Sequence, residues 1–171
     1  MIQLKLSKST LRPFVVGDAE SIAYHGNNVA IYNNMRDRFP HPYTLEDANN
    51  WIAKNLEPSN NIILAIEVDG TAIGSIAILP QEDISRLTAE IGYWVGEEHW
   101  GKGIATEAVT AIVDYAFENT DLVRIYGIVF HPNKASAAVL ENAGFRFEGT
   151  QRNAIYKNGE ILDALVYAVV K

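Results

Sequence analysis

Residues 97–109 read EEHWGKGIATEAV: two glycines one residue apart, then an apolar pattern with helical spacing. From Ile104 onward, Ala108, Val109, Ile112, Val113, Ala116 and Phe117 recur at intervals of one, three and four, which predicts an amphipathic helix. Upstream, "RLTAEIGYWVG" predicts a strand over about 87–95, and downstream "VRIYGIVF" (123–130) predicts a buried, β-branched strand. Strand, helix and strand in this order imply a right-handed crossover with parallel pairing. The glycines fall at the mouth of the helix, where first-turn amides have no internal partner and the helix dipole is positive. Without side chains, Gly101 and Gly103 would let an anion approach the main chain, and Lys102 would add a charge. The same glycines would also serve a tight turn and nothing more. "GKGIAT" lacks the spacing of a Walker A loop, and it is not a dinucleotide fingerprint, which needs three glycines and an acidic residue about twenty positions on, after a strand.

Working outward, "IQLKLS" (2–7) alternates as a strand does, and Pro13 ends that segment. Asp18 is placed to cap a short helix reaching about Asn27, and residues 27–44 carry a weak helix followed by a loop with two prolines. Thr44 and Asp47 form a capping box for a helix to about Asn55, with Ala48, Trp51, Ile52 and Leu56 on its apolar side. Asp69-Gly70 and Asn158-Gly159 each separate two apolar runs, the signature of a hairpin. "NKASAAVLENAGF" reads as a further helix with Ala137, Leu140 and Ala143 on its stripe and Gly144 as its C-cap. The expected class is α/β: one domain over residues 1–171 with a mixed sheet.

Composition narrows the chemistry. The chain has 171 residues and no cysteine, which excludes disulfides, thiolate metal sites and a cysteine nucleophile. A net charge of −7, from 14 basic and 21 acidic side chains, argues against nucleic acid or an anionic membrane as partner and favours a cationic substrate. The first residues, "MIQLKLSKSTLRPF", lack the uninterrupted apolar segment of a signal peptide, and no stretch is long enough to span a membrane. The expected location is the cytoplasm. The four histidines show no metal-site spacing, so no metal is expected. No surface stretch marks an oligomer interface, which leaves a homodimer open.

The glycine loop resembles the acyl-CoA pyrophosphate loop of the GNAT family of N-acetyltransferases, whose pattern is Gln or Arg, two residues, Gly, one residue, then Gly or Ala. Here it reads Trp100, Gly101, Lys102, Gly103, Ile104, Ala105, with Trp100 departing from the pattern. The longer texts "AEIGYWVGEEHWGKGIATEAV" and "HPNKASAAVLENAGFRFEGTQRNAIYKNG" resemble the branch that includes the ribosomal-protein alanine acetyltransferases, and the likeness runs from "TLRPF" to "VYAVV". The resemblance implies a strongly twisted mixed sheet with splayed central strands, flanked by four helices. It implies that acetyl-CoA enters the splay between 88–95 and 123–130. Backbone groups of Tyr93, Trp94 and Val95 would face its arm, and amides from Gly101 to Thr106, with Trp100 and Lys102 beside them, would hold its diphosphate.

Acetyl transfer needs a base for the amine, a donor for the developing oxyanion and a proton for the leaving thiolate. Glu90, inside "TAEIGYWV", shares a strand face with Gly92 and Trp94; a buried carboxylate is costly unless paired or useful. The resemblance supports it as general base, and the plain alternative ties it to an arginine. Asn133 and Ser136 share one face at the start of a helix. By resemblance Asn133 contacts the cofactor arm and Ser136 protonates the thiolate; otherwise they are an N-cap and a back-bonded hydroxyl. Many relatives place a tyrosine acid at the position of Leu140, which cannot donate a proton. The oxyanion would be met by a backbone amide around Tyr93 to Val95. Asp163 and Tyr167 read as ordinary strand polar residues.

Acceptor contacts are expected from Arg36, Phe39, Tyr43 and Tyr156, although the aromatics would equally pack a helix on the sheet. Arg36 and Arg38 favour an acceptor with a carboxylate, whereas the overall charge favours an amine. The expected activity is acetyl transfer from acetyl-CoA to a primary amine, with the N-terminal α-amine of a protein or peptide first by resemblance. A small-molecule amine (polyamine, amino acid or antibiotic) is the alternative. A nonenzymatic acyl-CoA sensor is the alternative of another class.

Overall fold

The computed structural model describes residues 2–171, and its strands are β1 (Leu4–Lys5), β2 (Thr10–Arg12), β3 (Ile62–Val68), β4 (Thr71–Pro80), β5 (Thr88–Val95), β6 (Arg124–Phe130), β7 (Arg146–Lys157) and β8 (Glu160–Val170). The helices are α1 (Ala19–Gly26), the single turn α2 (Val29–Tyr32), α3 (Leu45–Leu56), α4 (Ile104–Asn119) and α5 (Lys134–Asn142). All the strands join one sheet in the order β1-β2-β3-β4-β5-β6-β8-β7. Neighbours are antiparallel except β5 and β6, which run parallel as the strand-helix-strand order predicts. Both expected hairpin turns form. Asp69 and Gly70 have φ of 49° and 81°, and Asn158 and Gly159 have 53° and 85°, the paired left-handed geometry that suits the twist of the flanking strands.

The parallel pair holds only where Thr88, Ala89 and Glu90 face Arg124, Ile125 and Tyr126; beyond that the two strands diverge. The splay opens between two packed faces of the sheet. On one face, Ile78 lies opposite Ile91, and Ile76 opposite Tyr93. There Ala108, Val109, Ile112, Val113, Ala116 and Phe117 of α4 are all buried, as their spacing predicts. Each large aliphatic group buried there contributes about 2 kcal/mol. On the opposite face, α1 and α3 cover a second cluster built around Phe14, Ile22, Ile52, Phe39, Tyr43 and Trp94.

Local chemistry explains the helix starts. Thr44 and Asp47 form the expected reciprocal capping box of α3, and the Asn28 side chain caps α2 by accepting from the Ala30 and Ile31 amides. Asp18 does something other than cap α1. Its carboxylate accepts from the Val15 amide at 2.9 Å and takes two bonds, each 2.8 Å, from the Arg12 guanidinium. The expected strand over 2–7 shortens to Leu4–Lys5, because the chain turns back through Ser7–Ser9 to form β2. That turn is fixed from outside: Glu107 on α4 accepts from the Ser7 amide and hydroxyl and from the Lys8 amide. Leu56, expected on the apolar side of α3, is exposed at the helix end.

Candidate active site

The diverging strands open a cavity of about 1210 Å³ that passes through the sheet from the α4–α5 side to the α3 side. Gly96 donates to the Ile73 carbonyl on β4, while the Leu87 carbonyl accepts from Val123 on the β6 side. Backbone groups alternate along a strand, so those of Tyr93 and Val95 face the gap. At the top of the gap lies the loop. Gly101 and Gly103 have φ of 72° and 76°, the left-handed conformation that favours glycine. Glu107 is the first α4 amide with an intrahelical acceptor, the Gly103 carbonyl, so the amides of Ile104, Ala105 and Thr106 have no partner within the helix. Those three residues, together with Trp100, Gly101 and Gly103, line the cavity.

Two further side chains complete this corner. Trp100 donates its indole N–H to the Val95 carbonyl at 2.6 Å, which ties the loop back to β5. Lys102 is exposed and outside the cavity lining. A second cation, Lys8, replaces it: a Cβ built on Gly103 would come within 2.6 Å of the Lys8 ammonium nitrogen. The turn that carries Lys8 is the one clamped by Glu107. Burial pushes the Glu107 carboxyl up, but its bonds from Ser7 and Lys8 outweigh this and hold it below the usual carboxylate range. A loop with open amides, a bare main chain and an ammonium fits a diphosphate.

On the α5 side, the Asn133 side chain accepts from the Ser136 amide at 3.1 Å, so Asn133 is an N-cap whatever else it does. The Ser136 hydroxyl lies 2.9 Å from the phenol of Tyr93, which also reaches the Ser136 carbonyl at 3.2 Å. Burial pushes the Tyr93 phenol up to about 12, with the Ser136 bond opposing in part. Sequence reasoning placed only the Tyr93 backbone in the site. Leu140 fills the space between Gly127 and Ile91; a Cβ on Gly127 would stand 2.9 Å from its Cδ1. The position that bears a tyrosine in many relatives is therefore a packed hydrocarbon.

On the α3 side, Glu90 faces the cavity with Gly92 and Trp94, as strand alternation requires. Arg36 bonds to it, Nη2 to Oε1 at 2.5 Å, with side-chain exposures of 51% and 17% respectively. The arginine pairing weighed against a catalytic role for Glu90 is thus present, yet the pair sits on the cavity wall. Phe39 and Tyr43 are buried, their rings tilted at 43° with centroids 4.8 Å apart, and Phe39 also meets Trp94 edge-on. They pack the helical layer and line the cavity at once. Burial, and Asp47 nearby, push the Tyr43 phenol up to about 12. Tyr156 is 72% exposed and lies in an adjoining hollow that Arg36 also lines. Beyond it, the tip of the β7–β8 hairpin is fastened to the α2–α3 segment. Lys157 donates to Asp37 at 2.8 Å and lies 3.6 Å from the centroid of the Tyr32 ring, while Asn158 donates to Asn33.

The remaining candidates stay structural. Asp163 accepts from the Asn153 amide, and the Tyr167 phenol donates to Glu141. Among the described residues, no group of three or more His, Asp or Glu stands close enough to hold a metal ion, and no helix is long and apolar enough to cross a membrane.

A through-sheet cleft with an anion cradle at one end and a carboxylate at the other defines a group-transfer site for a long, phosphate-bearing carrier. Residues 8–146 match the model of the acetyltransferase (GNAT) domain, and the chain belongs to that family. It is similar to YdaF of Bacillus subtilis (strain 168), 38% identical over 112 residues that span 66% of this chain and 61% of that protein. The match therefore covers less than two thirds of that relative's length. The N-acetyltransferase YjcK of the same strain is 34% identical over 94% of this chain and 92% of its own. The spermidine N(1)-acetyltransferase of Escherichia coli (strain K12) is 26% identical over 91% and 82%. Among solved structures, the ribosomal-protein α-N-acetyltransferase RimL in complex with coenzyme A superposes with a TM-score of 0.88 at 21% identity, over 99% of this chain and 98% of that one. A microcin self-immunity acetyltransferase, MccE, in complex with acetyl-CoA and AMP, gives 0.84 at 26% identity over 97% and 94%.

Proposed function

We propose that this protein transfers an acetyl group from acetyl-CoA to a primary amine by direct attack with both substrates bound, the acceptor being the N-terminal α-amine of a peptide or protein. One observation carries the reading. The splay between β5 and β6 joins an anion-holding loop to two proton-handling groups on opposite faces of the sheet, Glu90 on one and Ser136 with Tyr93 on the other. Acetyl-CoA would supply the activated acyl group and the thiolate that leaves. The amides of Ile104, Ala105 and Thr106, with Gly101, Gly103 and Lys8, hold the diphosphate. The gap-facing backbone of Tyr93 and Val95 bonds the amide-rich arm as a strand would, and supplies a donor to charge developing on the carbonyl oxygen. Glu90 takes the proton that the ammonium must lose, directly or through one water. Ser136 donates a hydrogen bond to the departing thiolate, or passes it a proton while regaining one from solvent in the cleft. Tyr93 stays protonated at neutral pH and holds the Ser136 hydroxyl at the cleft through their 2.9 Å contact, in which either oxygen can be the donor.

Likeness to RimL supports a peptide α-amine, and likeness to a spermidine acetyltransferase supports a small amine, so the family alone does not choose. The test is release of CoA from acetyl-CoA across a panel of peptides and small amines, repeated with Glu90→Gln over pH 6–9. The wild type turns over, and Glu90→Gln loses activity most where the amine is protonated, below about pH 8. Tight acetyl-CoA binding with no release on any amine would favour an acyl-CoA sensor instead.

A further inference from the structure

The acceptor half of the cavity has a composition that the rest of the sheet lacks. Along β3, β4 and β5, the face toward α3 carries the row Ala65, Ser75, Trp94 and the row Ile63, Ala77, Gly92. Of these, Ser75, Ala77 and Gly92 floor the centre of the cavity, between Ile63 and Trp94, where the other face is floored by isoleucines. A Cβ built on Gly92 meets nothing within 4 Å, so open space begins at the main chain itself. Beside this floor stands the Arg36–Glu90 ion pair. On the rim stand Arg38 and Lys54, both exposed cavity-lining cations and neither in an ion pair among the described residues. The rim's other acid, Asp47, is already engaged with the Thr44 amide and hydroxyl.

An ammonium that approaches Glu90 meets Arg36 already on Oε1 and competes with it for the carboxylate. A simple amine or a polyamine would break the ion pair, leave a guanidinium unpaired, and set cation against cation in a half-enclosed space. An amine with its own carboxylate nearby avoids this, because its carboxylate pairs with Arg36 as its ammonium pairs with Glu90. Arg38 and Lys54 add to the same preference. We propose, resting on the acetyl-transfer reading above, that the acceptor is a zwitterionic amine: an ammonium and a carboxylate close together, exchanging partners with Glu90 and Arg36. The rest of its body lies over the small-residue floor. A free amino acid and a peptide with an acidic residue beside its N-terminus both present this chemistry.

The experiment compares kcat/KM for acetyl-CoA-dependent CoA release on four acceptors at one pH and ionic strength. They are a free amino acid, a peptide with Asp next to its N-terminus, the twin peptide with Lys there, and spermidine. The expected result is a preference of about tenfold or more for an acid-bearing acceptor over the Lys twin and spermidine, the scale of one charge-assisted contact. Whichever acid-bearing arm leads identifies the source. Arg36→Met is expected to shrink the ratio of the leading acid-bearing acceptor to the Lys twin toward one, whatever its effect on the absolute rate. Turnover of spermidine or the Lys twin as fast as the acid-bearing pair overturns this proposal and leaves acetyl transfer standing. An unchanged ratio of the leading acid-bearing acceptor to the Lys twin in Arg36→Met also overturns it. Absence of CoA release from every acceptor overturns both.

Discussion

Tyr93 is the residue whose role depends most on atomic detail. Its phenol lies 2.9 Å from Ser136 across 43 positions of sequence, and burial raises it to about 12, so it holds its proton throughout the working range. On the proposed reading it orients the serine. Tyr93→Phe is expected to lower kcat about tenfold with little change in KM for acetyl-CoA, because orientation of the donor is lost while the arm's backbone contacts remain. Steady-state kinetics with a fixed amine checks this, and an unchanged kcat would remove the serine-orienting role. Glu90 was legible, since an acid in an apolar strand stands out and alternation put it beside Gly92. The Tyr93–Ser136 contact was not, and of the Arg36–Glu90 pair only the kind of partner, an arginine, was foreseen. Each joins segments that the sequence separates widely, and only the splay and the α2–α3 turn bring them together.

At the scale of elements, the β1–β2 turn is seated on α4 through Glu107 and carries Lys8 to the glycine loop. Lys8→Met should weaken acetyl-CoA binding about fivefold at low salt, with a smaller loss at high salt, since an exposed cation near a phosphate is screened. Calorimetric titration at two ionic strengths tests it; equal affinity of variant and wild type at low salt would exclude Lys8 from the cradle. This turn was invisible in the sequence. The alternation of residues 2–7 predicted a strand of which only Leu4–Lys5 forms, because where the chain folds back is dictated by a carboxylate 100 residues away. The α4 helix, the two hairpins and the capping box of α3 were legible because each is specified by its own neighbours: helical spacing, Asp-Gly and Asn-Gly, Thr with Asp three residues on.

For the molecule as a whole, acid stability follows from two clamps. Asp18 and Glu107 both feel burial that raises them. Arg12 and the Val15 amide lower Asp18, the Ser7 and Lys8 bonds lower Glu107, and the net shift of each is downward. A carboxyl with a depressed folded value binds its proton more readily once unfolded, so its stabilising effect is present above the unfolded value, about pH 4, and is lost as pH falls through the folded one. Urea unfolding between pH 3 and 7 is expected to show a plateau that drops below about pH 4, and Asp18→Asn to lower the plateau by about 3 kcal/mol, since it leaves Arg12 short of a partner in a half-buried site. A midpoint indifferent to pH over that interval would contradict this. The class of fold was legible from element order, yet the insertion of β8 between β6 and β7 was not, because a hairpin fixes only its own two strands and not which of them finds the sheet.

The contrast between the two sides of the sheet has a consequence for how such a chain changes over time. Where isoleucines meet α4, an added methyl group has nowhere to go and folding itself suffers. At Gly92 it meets empty space, and the fold has no means of objecting. New acceptor preferences are therefore within reach of single substitutions that leave the scaffold intact, and a family sharing this architecture is free to diverge in what it modifies far faster than in how it is built.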